Sequence, residues 1–474
     1  MPGTRRPALR GPGQPATVRA MVTVTLPLWL LLLILLFAAI SFVTHFFFPS
    51  VRWFFRRRAE RLVRRLNSRL QRPIEPFKLL RRYDLIQRVL YHPDVTRAIL
   101  DHAGQEGVRE DVAFERARRY AQEIVPSFSA FAYFGWGVRG ARWLSNALYR
   151  VRLGHHDPQE LAGIDPEATL IFVINHRSNM DYVLVTHLAA DRSALSYAVG
   201  EWAQVWPLSR LIRSMGAYFI RRRSRDDLYR RVLRRYVQMS TSGGVTQAIF
   251  PEGGLSLDGG LQPPKLGLLR YITDDLDLAA RDVVFVPVAL NYDRVLEDTV
   301  LIGAGESGTR RFEASITHVT LATLKQLWLR VTGRFHRFGY AAVSFGRPLS
   351  LRADPALAAD AGALAERLLA EIARNVPVLP VPLVAHLLLE KPRRAEDLPG
   401  AFAGACAQLE GCHIHLPRAD NAYAAQVGLR MLTERGIVVE NGGVLTVAPE
   451  KQALAGYYAR SIAHLFPAQR SPEA

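Results

Sequence analysis

Met21 to Phe48 runs for 28 residues without a formal charge, with LPLWLLLLILLFAAISFVTHFFF at its heart. A spanning helix needs about 20 apolar residues, so this stretch is long enough to cross a bilayer. A cleaved signal peptide would have an apolar core roughly half as long, followed by a small-x-small cleavage site, and none precedes Phe46–Phe48. Trp29 stands at one end and Trp53, Phe54 and Phe55 at the other, where interfacial aromatics sit. Between residues 51 and 82 there are twelve Lys or Arg against Glu60 and Glu75, whereas only Arg5, Arg6, Arg10 and Arg19 precede the span. That asymmetry predicts a single pass of the inner (cytoplasmic) membrane, with the N-terminus outside and the bulk of the chain in the cytoplasm.

Residues 1–20 lack acidic groups and any periodicity and are expected to be an unstructured basic arm. After the span, over 49–155, Phe55, Leu62, Leu66 and Leu70 recur at helical spacing among Arg56, Arg57, Arg58, Arg61, Arg64, Arg65 and Arg69. Two readings of that helix stand: its leucines meet an anionic membrane surface, or they pack on its own domain. The segments YDLIQRVLYHPDVTRAIL and ERARRYAQEI continue a helical region to about residue 155.

The texture then changes. TLIFVIN, ALSYAVG, GAYFI, TQAIF, VVFVPVAL and YAAVSFG are short apolar runs that alternate with helical segments. The pattern predicts an α/β domain over 156–375, with a central, mostly parallel sheet flanked by helices. KPRRAEDLPG, residues 391–400, reads as a linker. Within 376–474, a helix around NAYAAQVGLRMLTERG, strands IVVE and VLTVA joined through Asn441-Gly442-Gly443, and a last amphipathic helix have a winged-helix-like order.

A chain of 474 residues with a net charge of +18 should attract anions. Lysine occurs only five times, so arginine carries the charge, and base composition of the genome accounts for most of that bias. Cys406 and Cys412 are too few for a disulfide framework and read as free thiols. Together with His413 and His415 they match no metal spacing. The arginines concentrate after the span and around 221–235, not on an aromatic-laced basic face, so no nucleic-acid partner is expected. The run Gly303-Ala304-Gly305-Glu306-Ser307-Gly308 fits GxGxxG by letter, but it lacks a strand before it and an acidic residue about 20 positions on, and reads as a glycine loop. Phosphate-loop and nucleophile-elbow signatures are absent from the sequence.

In open α/β sheets, sites lie beyond the C-terminal ends of strands. TLIFVI ends in Asn175-His176-Arg177-Ser178-Asn179-Met180-Asp181. A His and an Asp five positions apart lie about 140° apart on a helix, so they can meet only where the chain turns from strand into helix. Such a pair is the general-base half of a triad without a serine. GAYFI ends in Arg221-Arg222-Arg223, suited to a phosphate, and TQAIF ends in Pro251-Glu252-Gly253-Gly254, where glycines admit a ligand close to the backbone. Pro287 interrupts the apolar run VVFVPVAL.

HRSNMDY, GAYFIRR with LYRRVLRRY behind it, FPEGGLSLDGGLQPPKLG and VPVALNYDRVLE resemble, in order, the four acyltransferase blocks of bacterial and mitochondrial glycerol-3-phosphate acyltransferases. The resemblance covers about 168–300. Its first block departs from the NHQSxxD form more common among lysophosphatidate acyltransferases. It implies transfer of a fatty acyl group from acyl-CoA or acyl carrier protein to the sn-1 hydroxyl of glycerol 3-phosphate, with no metal, cofactor or covalent intermediate. By the same resemblance His176 is the base and Asp181 its orienter. Arg222 and Arg221 hold the acceptor phosphate, Glu252 and Gly253 shape the acceptor site, and Pro287 lies on the acyl side. Backbone N–H groups near Gly253-Gly254 are candidate oxyanion donors. One departure is plain: Leu255 and Leu257 stand where the family's third block usually carries arginines. Either Arg223, Lys265 or Arg270 supplies the missing charge, the reading favoured here, or the acceptor is another lysolipid or alcohol. A catalytically retired scaffold that binds acidic carrier protein is a third reading, against which the intact His176, Asp181 and Glu252 speak.

Overall fold

The structure, a computed structural model, describes residues 27–70, 72–154, 157–189, 193–200, 204, 208–221, 224–307, 338–409 and 411–466. Two compact units make up the chain, 1–62 and 63–474. The expected basic arm lies outside the described residues, as does Met21–Leu26 of the apolar stretch. A helix runs Leu28–Asn67, and within it Leu28, Trp29 and Leu31 through Phe37 are exposed. The side chains of most of 39–56 lie outside the description, and among the described residues no helix is long and apolar enough to cross a membrane.

In the second unit eight strands form one sheet: β1 (Arg150–Leu153), β2 (Thr169–Ile174), β3 (Ser196–Gly200), β4 (Tyr218–Ile220), β5 (Gln247–Ile249), β6 (Val283–Tyr292), β7 (Tyr340–Phe345) and β8 (Leu349–Ser350). Their order is β1-β7-β6-β2-β5-β3-β4, with β8 also on β6. Pairing is parallel throughout except where β7 and β8 run antiparallel to β6. Every residue of β2, β5, β6 and β7 is buried. Helices cover both faces of a mostly parallel sheet, which is why these strands read as unbroken apolar runs.

One strand falls outside the expected boundaries. Residues up to 155 read as helical, yet β1, Arg-Val-Arg-Leu, pairs with β7 at the sheet edge. An edge strand with exposed arginines carries no apolar run, so its signal is missing. The helices Arg82–Leu90, Pro93–Glu106 and Glu110–Ile124 do form, and they pack on the Asp227–Ser242 helix of the α/β domain. GAGE, read as loop, is the end of the Asp298–Glu306 helix.

Pro287 sits inside β6, opposite Val173. Its carbonyl accepts the Gly346 N–H at 2.8 Å. A residue's N–H and C=O share one edge of a strand, so the donor that proline lacks falls where β7 turns into β8 and no ladder partner is needed.

The C-terminal part forms a three-stranded sheet of β10 (Val438–Asn441), β11 (Val444–Val447) and β9 (Arg393–Arg394). The expected helix, hairpin and helix are all present. The Gly442-Gly443 turn joins β10 and β11 with φ of 58° and 79°, a geometry that favours glycine. The expected linker 391–400 is instead β9 followed by the start of the Leu398–Gln408 helix. Asp293, at the end of β6, fastens this part to the sheet. Its Oδ2 accepts the Tyr340 N–H of β7 at 2.8 Å and its Oδ1 the Val381 N–H, in the first turn of the Pro380–Glu390 helix, at 2.9 Å. Asp293→Ala leaves two buried N–H groups without partners and should lower unfolding free energy by roughly 2–5 kcal/mol, read from urea unfolding.

Candidate active site

β2 ends at Ile174, and the chain turns through 175–179 before the Met180–Ala189 helix begins. Asn175 pins the start of that turn to β6. Its Nδ2 donates to the Leu290 carbonyl at 3.1 Å and its Oδ1 accepts the Leu290 N–H at 2.7 Å. Ser178 Oγ accepts the Met180 N–H at 3.1 Å, capping the helix. The turn brings His176 and Asp181 together: Nδ1 lies 2.9 Å from Asp181 Oδ2. Their exposures are 1% and 0%.

Four donors converge on the Asp181 carboxylate. Oδ2 also accepts the N–H groups of Arg177 at 2.7 Å and Ser178 at 3.0 Å, and Oδ1 accepts the Tyr292 hydroxyl at 2.6 Å. Asp181 sits in the first turn of a helix, where a negative charge is favoured. An acceptor-only carboxylate requires that Nδ1 donate, which puts the imidazole lone pair on Nε2. The ring stacks on Phe250 at 4.1 Å between centroids and meets the edge of Tyr182 at 5.5 Å.

Glu252, beyond β5, joins the pair: its Oε1 accepts the His176 N–H at 3.1 Å. Ser256 N–H donates to the His176 carbonyl at 2.9 Å, so the third block is stitched to the first through the backbone. Burial pushes the Glu252 carboxyl up to about 8, and its Oε2 is buried without a partner among the described residues. Gly253 adopts φ of 66°, and a Cβ there would lie 2.6 Å from Lys265 Cδ, so Lys265 folds across the glycine. The Gly253 N–H, a candidate oxyanion donor, instead donates to the Phe250 carbonyl at 3.1 Å and closes the turn.

His176, Asp181, Glu252, Gly253 and Lys265 are thus one cluster, with Gly254 beside it in sequence. Arg221 is engaged elsewhere. Its Nε and Nη2 lie 2.9 and 2.5 Å from the two Glu123 oxygens, and its guanidinium stacks on Tyr120 and Tyr229. That bidentate pair holds the guanidinium charged. Arg222 and Arg223 lie outside the described residues. Leu255 and Leu257 are half-buried against the main core, and a Cβ on Gly305 would lie 3.4 Å from Leu257 Cβ.

The sequence reading overlooked several residues. Tyr292 closes VVFVPVALNY and orients Asp181. Glu297, buried with its carboxyl raised by burial, accepts Ser178 Oγ at 2.8 Å and the Asn179 N–H at 3.3 Å. Arg177 is buried, bonds the Gly259 carbonyl and lies over the Tyr457 ring at 5.1 Å. Tyr292 was visible as a polar residue closing an apolar run and Glu297 as the last residue of the fourth block; nothing local marks Tyr457, 280 positions from its partner.

The Glu252 carboxyl titrates near 8 in the folded chain against 4.5 ordinarily, so its contribution to stability is full below about pH 4.5 and is lost as pH rises through about 8. Glu252→Gln should therefore flatten the fall in melting temperature between about pH 4.5 and pH 8. Asp293, raised to about 7, titrates alike in both proteins and cancels from the comparison.

The family model described as Acyltransferase matches residues 155–291, which begin just after β1, stop one residue short of the end of β6 and include His176, Asp181, Glu252, Gly253 and Lys265. The glycerol-3-phosphate acyltransferase of Alteromonas mediterranea is 30% identical over 303 residues, 62% of this chain and 35% of that protein. Those of Xanthomonas campestris pv. campestris and Pseudomonas fluorescens are 27% and 28% identical over 87% and 86% of this chain, and 49% and 51% of their own lengths. The chain therefore spans about a third to a half of the length of these relatives. Among solved structures, the 1-acyl-sn-glycerophosphate acyltransferase of Thermotoga maritima aligns with a TM-score of 0.30 and 18% identity, over 51% of this chain and 78% of that one. The matched acyltransferase segment thus holds the first three blocks and the start of the fourth, and the chain is similar to the curated glycerol-3-phosphate acyltransferases.

Proposed function

We propose that this protein is a membrane-anchored acyltransferase that moves a fatty acyl group from acyl-CoA or acyl carrier protein to the sn-1 hydroxyl of glycerol 3-phosphate. The observation that carries this reading is the buried His176–Asp181 pair with four donors on its carboxylate. Nε2 takes the proton of the acceptor hydroxyl as the oxygen attacks the thioester carbonyl. Collapse of the tetrahedral intermediate breaks the C–S bond, and the imidazolium returns the proton to the departing thiolate. The thiolate leaves readily, so positioning and one base supply most of the acceleration.

Glu252, neutral below about pH 8, can donate from its carboxyl to an acceptor oxygen. Lys265, Arg222 and Arg223 are the cations assigned to the acceptor phosphate. Arg221, tied to Glu123, keeps the end of β4 in place instead. Pro287, at a break in the antiparallel edge of β6, borders the acyl side. The 28-residue uncharged stretch, the twelve basic residues after it and the exposed apolar turn Leu31–Phe37 support an inner-membrane anchor with the catalytic domain in the cytoplasm.

A second reading, transfer to lysophosphatidate or another lysolipid, is favoured by Leu255 and Leu257, whose packing into the core puts no charge where the family carries arginine. Membranes containing the protein, given labelled palmitoyl thioester with either acceptor, decide between them. Product from glycerol 3-phosphate alone supports the first, and product only from lysophosphatidate the second. His176→Ala should abolish turnover while membrane association stays; retained turnover sinks the mechanism. Tyr292→Phe removes one bond to the Asp181 carboxylate, of about 1.5–3 kcal/mol, and should lower kcat roughly 10- to 100-fold with KM little changed.

A further inference from the structure

We infer that the exposed face of the helical segment 131–148 is a second lipid-contacting surface, separate from the N-terminal anchor, that lays the catalytic unit against an anionic bilayer. The segment is a π-helical run, Phe131–Gly137, continued by the Val138–Leu148 helix. Phe131, Trp136 and Trp143 are 63%, 72% and 54% exposed on it. Trp136 and Trp143 are seven positions apart, two helical turns, and so share one face. Arg139, exposed, is three positions after Trp136 and four before Trp143 and so lies on their face, and Arg142, also exposed, flanks it about 100° round the helix. Large exposed aromatics beside arginines are what a bilayer's headgroup region takes up.

Charge singles out the same partner. Pro126 to Gly154 contains Arg139, Arg142, Arg150 and Arg152 and no acidic residue. Beside it, the short Leu208–Ser214 helix packs on the π-helical run and adds exposed Arg210 and Leu211. The surface is therefore apolar and cationic together, which matches a phosphatidylglycerol-type surface.

The leucine stripe of the basic helix is accounted for differently. Val63, Leu66 and Leu70 pack inward against a cluster holding Phe128, Tyr133, Phe134 and Val138, and leave Arg64, Arg65 and Arg69 exposed. For Leu66 and Leu70 the apolar contact that the sequence offered to a membrane is thus made within the fold, whereas Phe131, Trp136 and Trp143 face outward. The Val138–Leu148 helix packs in turn on the Met180–Ala189 helix, which opens with Asp181. A bilayer against this face lies one helix layer from the catalytic pair.

This inference rests on the membrane reading above but not on the acyl-transfer chemistry. The test uses the full chain reconstituted into phosphatidylcholine vesicles with and without phosphatidylglycerol, with lipids brominated near the headgroup as tryptophan quenchers. Two of the chain's seven tryptophans are Trp136 and Trp143. The Trp136→Tyr/Trp143→Tyr protein should lose their share of the quenched emission in anionic vesicles. Arg139→Glu/Arg142→Glu should reduce that share, since each basic side chain strengthens attraction to an anionic surface about fivefold. Protein that floats with the vesicles yet shows the same quenching with and without the two tryptophans overturns the second contact and spares the anchor. Protein that does not float overturns the membrane reading itself. If an acidic carrier protein shields the two tryptophans from acrylamide and lipid never quenches them, the face is a protein-docking surface and the lipid assignment is wrong.

Discussion

The Asp181 carboxylate is the point on which the site's geometry depends. One oxygen takes the imidazole and two backbone N–H groups, and the other takes the Tyr292 hydroxyl. These donors come from the turn after β2 and from the end of β6, so the carboxylate fixes the loop, the ring tautomer and the register of two strands together. A buried charge is tolerated only when its hydrogen bonds are met, and meeting them here requires the strand-end turn to adopt one conformation. The imidazole is thereby held in one tautomer.

Around that centre the fold joins distant segments by buried polar contacts. Glu252 reaches the His176 N–H, Glu297 caps Ser178 and Asn179, and Asp293 couples the sheet to the C-terminal part. The last helix, Gln452–Ala463, meets the first block through Tyr457, while Arg460 bonds the Asp258 carbonyl at 2.9 Å in the third. The C-terminal part thus packs on the turn that holds His176 and Asp181.

The arginines divide by role once the structure assigns partners. Arg221 and Arg177 looked alike as cations near strand ends, yet one closes on Glu123 and two tyrosines and the other on Gly259 and Tyr457. Arg139 and Arg142, which carried no motif, are exposed beside Trp136 and Trp143. Leu255 and Leu257 do not merely lack charge; they pack half-buried on the core, and Leu257 lies beside Gly305 of the Asp298–Glu306 helix.

The six apolar runs, their α/β alternation, the His176–Asp181 spacing and the four ordered blocks were legible in the sequence, because burial on both sheet faces and strand-end sites leave local signatures. The winged-helix-like order was legible for the same reason, through periodicity and a glycine turn. β1 was not, since an edge strand with exposed arginines has no apolar pattern, nor was the β9 strand hidden in an apparent linker. That Arg221 is held by Glu123 and that Tyr292 orients Asp181 depend on partners 98 and 111 positions away, and which leucines turn inward or which tryptophans stay outside is likewise decided by distant segments. Sequence fixes residue type and local periodicity; long-range pairing is decided only when the chain closes on itself, because each of those side chains could satisfy its chemistry in more than one place.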